Sequence, residues 1–303
     1  MGPTPAKEWV SSGWGYRVAN RDQLLRTISR ISILKTGRIY AWRGQGSGEW
    51  NLSSSLYRSL ERTGPVDESR MAVAEAKMIK AARKYGLGRE LGASNTDANL
   101  LATLQHHGLP TRLIDVTSNP MTALWFATEP SGGDGEKPGV LFAIDVTDMP
   151  WSETIRHDAG VTWGGIERPL GYLYDSLLAD STQHRRPFRL FPALPDERMK
   201  AQEGFFVGSA VAPQPAIVRV PDLDFGDVKA PGVESLGRLA EGPDRGPGRP
   251  PVLPFLALVI PPRVKRALRD PLKGTYNRRR RVLFPDVDGF RDAYRHGEIR
   301  LES

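Results

Sequence analysis

Apolar residues recur along the chain in two periods, and their alternation lays out most of the elements. Leu24, Ile28 and Ile31 fall at i, i+4 and i+7 behind Asn20, a good N-capping residue, so residues 21–34 are expected to form an amphipathic helix ended by Gly37. Residues 38–43, RIYAWR, are short, β-branched and aromatic and run into GQGSGEW, which predicts a strand delivering Arg43 to a glycine-rich loop. A second helix, capped by Asp67 and reaching residue 85, presents Ala74, Met78 and Ala82 on one face. Asp97 is expected to cap a third, ANLLATLQHH, stopped by Gly108 and Pro110, and Ser118, with Pro120 in the first turn, a fourth, MTALWFAT. GVLFAID predicts a buried strand, GFFVG and AIVRV two short ones, and FLALVI a last strand before a basic helix begun by Pro261 and Pro262.

Between residues 149 and 201 the periodicity weakens. The stretch EGPDRGPGRPPVLP holds 8 Gly or Pro among 14 residues, the composition of a linker or surface loop with little capacity for packing. There is no internal repeat. Helices and short strands mix without regular βαβ alternation, so the expected class is α+β. The expected layout is an N-terminal segment (1–15), a core (16–221), a Gly/Pro-rich loop or linker (222–254) and a basic C-terminal segment (255–303) packing on the same domain.

A chain of 303 residues, 39% hydrophobic and 8% aromatic, can bury a substantial core in one large domain or two small ones. It has no cysteine, which removes disulfides, Cys-ligated zinc, iron–sulfur clusters and thiol nucleophiles, leaving oxygen, imidazole and amine groups for any chemistry. The longest apolar run, Phe255–Ile260, is strand-sized, and the N-terminus lacks a basic region followed by an apolar one, so a soluble cytoplasmic protein with no membrane partner is expected. The net charge of +7 is unevenly spread: residues 1–240 carry an excess of +1 and residues 241–303 one of +6. It peaks at Arg278, Arg279, Arg280 and Arg281, with Arg263, Lys265, Arg266, Arg269 and Lys273 just upstream. Such a cluster is a candidate nucleic-acid site through phosphate contacts, and a solvated basic face is the plainer alternative.

Three pieces together resemble the FRG domain, a bacterial and phage family named for a Phe-Arg-Gly motif. They are YAWRGQ at 40–45, with Trp42 where the name has Phe; LLATLQHHGLPTRLIDVTSNPMTALWFAT at 100–128; and MKAQEGFF at 199–206, with Gln202 and Gly204 on the family's Gln-x-Gly pattern, followed by LFPDVDG at 283–289. The layout is similar to that of ADP-ribosyltransferases of the Arg, Ser-Thr-Ser, Glu type. Arg43-Gly44, then Asp115-Val116-Thr117-Ser118 before an Ala-x-x-Phe-Ala-like helix, then Gln202-Glu203 before Gly204, fall in the same order. The resemblance implies a mixed β-sheet core split into two small sheets and flanked by helices. It further implies NAD as substrate without a metal, and transfer of ADP-ribose to a DNA, RNA or protein acceptor or hydrolysis of NAD. A toxin or antiphage role under an antitoxin or regulatory partner would go with these.

That chemistry has four requirements, because the nicotinamide–ribose bond breaks through an oxocarbenium-like transition state. Arg43 suits a bidentate clamp on the pyrophosphate, with Gln45, His106, Asp115 and Ser118 as further nucleotide contacts. Gly44 would let bare backbone approach the carboxamide. Thr117 and Ser118 could orient the ribose, and His107 or His106 could act as acid or base. The carboxylate is the departure, since the family position is the neutral Gln202 and its neighbour Glu203 points the other way if both lie on a strand. Either Glu203 serves as the catalytic carboxylate, or, if Gln202 faces the cleft, two further readings gain: a non-catalytic nucleotide-sensing module, or weak or altered catalysis. A nucleic-acid-binding protein or nuclease is the remaining alternative. Each residue also has a plainer role: Arg43 could pair with Asp115 or Glu203, Asp115 with Arg112, and Ser118 could be a helix cap.

Overall fold

The computed structural model describes residues 5–34, 37–130, 136–151, 172–192, 195–242, 247–295 and 299. The chain begins with α1 (Pro5–Ser11), β1 (Gly15–Arg17), α2 (Arg21–Ser32), β2 (Tyr40–Gln45), α3 (Ser55–Glu61) and α4 (Glu68–Lys84). It continues through α5 (Asp97–His106), β3 (Ile114–Thr117), α6 (Pro120–Thr128), β4 (Gly139–Asp145), α7 (Tyr172–His184) and β5 (Phe188–Leu190). Then follow α8 (Glu197–Ala201), β6 (Gly204–Gly208), α9 (Val233–Glu241), β7 (Phe255–Ile260), α10 (Pro262–Gly274), α11 (Arg280–Leu283) and α12 (Val287–Arg295).

The fold is α+β, built on one mixed seven-stranded sheet in the order β1-β7-β4-β2-β3-β6-β5, antiparallel throughout except for β1 with β7. β4 and β7 are buried on both faces, which is why their sequences are continuous apolar runs rather than alternating ones. Leu141, Ala143, Leu256 and Leu258 pack with Leu24, Leu124 and Leu268 on one side, while Val140, Phe142, Phe255 and Ala257 pack with Trp9 and Leu223 on the other.

The two small sheets expected from the sequence are one sheet with a narrow seam. β2 and β3 share a single pair, Trp42 with Thr117; beyond it Arg43, Gly44 and Gln45 pair with β4, and Ile114, Asp115 and Val116 pair with β6.

Within the N-terminal segment, α1 seats Trp9, fully buried, 5.1 Å from the Phe142 ring. Other expectations are corrected. Residues 222–254 are not all linker: α9 buries Leu236, Leu239 and Ala240, and Arg30 Nη1 donates to the carbonyls of Leu239 and Ala240. The stretch 255–303 begins inside the sheet, with β7 between β1 and β4. AIVRV forms no strand, since Arg219 has φ +66° and Val220 N–H turns back to the Ile217 carbonyl. Thr96 rather than Asp97 caps α5, its hydroxyl accepting from Asn99 N–H, and Asn119 rather than Ser118 caps α6, accepting from Met121 N–H. Among the described residues no helix is long and apolar enough to cross a membrane.

Candidate functional site

A cleft of about 480 Å³ opens at the seam between β2 and β3. β2 supplies Trp42, Arg43 and Gly44, and the end of α5 supplies Gln105, His106 and His107. β3 supplies Asp115, Val116 and Thr117; α6 forms a floor from Thr122, Ala123 and Phe126. Arg198, Met199 and Gln202 close one wall, and Asp288, Arg291 and Asp292 of α12 lie at the rim.

Arg43 is central. Its side chain is 22% exposed, its Nη1 donates to the Asp115 carbonyl at 2.6 Å, and the Asp115 carboxylate lies 3.6 Å away. Its Nε is buried with no hydrogen-bond partner among the described residues. Burial pulls the guanidinium below the usual arginine range; Asp115 and Asp222 oppose this, and Arg58 adds to it. The pairing with Asp115 is one of the plainer roles open to Arg43. Asp115 itself does not pair with Arg112, which is held by Glu75 at 2.8 Å and Glu68 at 2.9 Å. Instead the Asp115 side chain, 60% exposed, accepts from Gln105 Nε2 at 2.9 Å, and Gln105 is fixed in turn by the Thr111 hydroxyl at 2.7 Å.

The two histidines divide as their spacing requires. His106 Nε2 lies 2.9 Å from Asp196 Oδ2, and burial holds the ring's pKa below its ordinary value with Asp196 opposing. His107, exposed at the C-cap of α5, meets it edge-on at 5.2 Å.

Several candidates are placed differently from expectation. Gly44 lacks a side chain because of α6, since a Cβ there would sit 1.8 Å from the Ala123 carbonyl oxygen. Gln45 is buried outside the cleft lining, with Nε2 donating to the Asn51 carbonyl. Thr117 lines the cleft, but its hydroxyl donates to the Gln202 carbonyl at 2.7 Å and accepts from Asn119 N–H at 3.0 Å. Ser118 lies outside the lining, its N–H donating to the Glu203 carbonyl.

Gln202 and Glu203 do not lie on a strand, so strand alternation does not decide between them. Gln202 caps α8 and lines the cleft, Nε2 donating to the Leu283 carbonyl at 2.8 Å. Glu203 adopts φ +51° and turns its carboxylate away from the lining, where it accepts from Asn119 Nδ2 at 2.8 Å and Arg278 Nη2 at 3.1 Å.

The basic stretch is largely committed inside the fold. Arg278 binds Glu203, Arg279 Nε donates to the Lys273 carbonyl, and Arg280 pairs with Glu129 at 2.9 Å and lies over the Trp125 and Phe284 rings. Arg266 and Arg269 both pair with Glu136. Lys265, fully buried, donates to the carbonyls of Gly46, Glu129 and Lys137. Arg281 is exposed. Among the described residues no group of three or more His, Cys, Asp or Glu side chains is placed to hold a metal ion.

Sequence reasoning missed Arg198, Arg291 and Asp292. Arg198 and Met199 sit in the same five-residue helix that precedes Gln202, so proximity to that motif was the available signal; α12 is brought to the rim only by tertiary packing.

The architecture is thus a mixed-sheet α+β protein with a polar cleft at a sheet seam. Residues 38–134 match the sequence model of the FRG domain family, and that stretch supplies Arg43, Gln105, His106, Asp115 and Thr117. No curated protein and no solved structure matches the chain.

Proposed function

We propose that the cleft binds NAD and that the protein is an ADP-ribosyltransferase-like enzyme, transferring ADP-ribose to a macromolecule or hydrolysing NAD. The observation that carries this reading is the convergence of Arg43, Gln105, Asp115 and His106 on one cleft whose volume suits a nucleotide. A partly buried guanidinium with an unpartnered Nε is suited to a phosphate oxygen, which would displace the 3.6 Å contact with the Asp115 carboxylate. Asp115, held through one oxygen by Gln105, then takes the carboxylate role given to Glu203 on sequence grounds. As the ribose–nicotinamide bond breaks, the electron pair leaves with nicotinamide and positive charge grows at the ribose carbon; a fixed carboxylate stabilises that charge until water or an acceptor oxygen adds there and loses its proton.

Nicotinamide release from NAD is the test. Turnover lost in Arg43→Ala and Asp115→Asn would support the assignment. No release and no label on protein, DNA or RNA would remove it. One observation favours a second reading, a non-catalytic nucleotide-sensing module: the family-pattern side chain that lines the cleft is the neutral Gln202. NAD binding in calorimetry without nicotinamide release would select that reading.

A further inference from the structure

The charges lining the cleft are three arginines, Arg43, Arg198 and Arg291, and three aspartates, Asp115, Asp288 and Asp292, but they are not paired one to one. Asp115 lies against Arg43, while Arg291 has Asp288 at 2.8 Å and Asp292 at 3.5 Å. Arg198 has neither a carboxylate nor a hydrogen-bond acceptor for its guanidinium among the described residues. Its contact within the fold is the face of Phe284, with Cζ 4.3 Å from the ring centroid. Phe284 is fixed by the rings of Trp125 and Phe126, each 6.0 Å away, so the platform under the guanidinium is rigid. The charge is also felt inside the cleft, since Arg198 is one of the groups that disfavour protonation of His106.

A guanidinium held over an aromatic face makes no hydrogen bond to the ring and so keeps its N–H fork available, and the contact leaves it less rotamer freedom to lose when an anion arrives. The fold has set this fork on the α8 wall of the cleft, while Arg43 projects from β2. We propose that Arg198 is a second anion-binding residue of the cleft, and that it and Arg43 together recognise a diphosphate group on the ligand. This deepens the assignment of the cleft to NAD and rests on it for the identity of the ligand, but the class it names, a nucleoside diphosphate, can be tested separately.

Calorimetry on the full chain uses NAD, ADP-ribose, ADP, inorganic pyrophosphate and adenosine, with wild type, Arg198→Gln and Arg198→Lys. A charge-assisted hydrogen bond of this kind contributes about 1.5–3 kcal/mol, so Arg198→Gln is expected to weaken the diphosphate ligands by about 10- to 100-fold and to leave adenosine unchanged. Arg198→Lys, which keeps the charge without the planar fork, is expected to fall between. The thermal midpoint of Arg198→Gln should stay within about 2 °C of wild type, because a partly exposed cation–π contact contributes only about 0.5–1 kcal/mol. Equal affinity of wild type and Arg198→Gln for NAD would overturn the role of Arg198 and leave the NAD assignment standing. Arg198-dependent binding of ADP and pyrophosphate with no binding of NAD or ADP-ribose would do the reverse. No binding of any diphosphate by wild type would overturn both.

Discussion

Asp222 is 2% exposed, and its Oδ2 accepts from Ser54 N–H at 2.8 Å while its Oδ1 is buried with no partner among the described residues. Burial pushes this carboxyl up from 3.8 to about 6 against the pull of the Ser54 hydrogen bonds and Arg58. A carboxyl whose native pKa lies above its unfolded value holds its proton more tightly when folded. It therefore does no harm below pH 3.8 and lowers stability progressively as the pH rises through 6. Since each tenfold change in proton affinity is about 1.4 kcal/mol, the ionised side chain costs about 3 kcal/mol at neutral pH. Asp222→Asn keeps an acceptor oxygen for Ser54 and removes the charge. It is expected to be more stable than wild type by about 1–3 kcal/mol at pH 7.5, with the gain gone at pH 4. Urea unfolding of both proteins at pH 4, 5, 6 and 7.5 reads the difference between them, which cancels the pH dependence of every other group. A difference that does not change with pH, or a variant less stable at pH 7.5 than at pH 4 relative to wild type, would refute the reasoning. Asp222 is also among the groups whose field favours the cationic form of Arg43.

Gly44→Ala would drive a Cβ to 1.8 Å from the Ala123 carbonyl and 2.6 Å from Ala127 N, both backbone atoms. Overpacking alone costs about 1–3 kcal/mol, so thermal unfolding should show at least that loss; intact stability with lost NAD binding would instead point to a ligand-approach role. Lys265→Met removes the donor to three carbonyls, two of them at 2.8 and 3.0 Å, and leaves acceptors stranded in the interior. A loss of about 3–5 kcal/mol in urea unfolding is expected, and a neutral effect would mean that the carbonyls are satisfied by other means. Glu203→Ala should retain nicotinamide release within a few-fold of wild type, because its carboxylate is held by Asn119 and Arg278 outside the cleft lining; a collapse of turnover there, with Asp115→Asn active, would return the catalytic role to Glu203.

The elements legible in the sequence are those whose signal is local. α2 and α4 carry their caps, Asn20 and Asp67, beside a helical period, and both caps accept the expected backbone N–H. β4 and β7 are apolar at nearly every position because both of their faces are covered. α9 was hidden because its apolar positions, Leu236 and Leu239, sit between a run of glycine and proline and a charged stretch. AIVRV failed for a backbone reason: the left-handed conformation at Arg219 turns what composition draws as a strand, and it lets Ile217 and Val220, which would point to opposite faces of a strand, both be buried. Glu203 repeats this. A non-glycine residue at φ +51° is announced by no periodicity, and it is this turn, not strand alternation, that separates Gln202 from Glu203. In the site, Arg43, Asp115 and His106 were readable because they lie in the motifs YAWRGQ and LLATLQHHGLPTRLIDVTSNPMTALWFAT, whereas Arg198 and Arg291 reach the cleft through packing of α8 and α12.

The glycines show how a residue can be correctly singled out for an incorrect reason. A Cβ at Gly44 would strike the Ala123 carbonyl, and one at Gly139 would come within 2.1 Å of the Ala127 carbonyl. Both glycines therefore let the backbone of α6 settle directly onto β2 and β4, and α6 supplies the floor of the cleft through Thr122, Ala123 and Phe126. β2 pairs with β4 over all six of its residues along one edge, while along its other edge it meets β3 only at Trp42. Short β3 follows β6 instead and reaches α6 through only Ser118 and Asn119. The cleft is the space left when one strand is held by the helix lying on it and its neighbour is held by β6. Arg43, one residue past the last shared pair, is the first β2 side chain beyond that seam, which is why its position in the sequence next to Gly44 predicts its place in the cleft even though the glycine serves the helix.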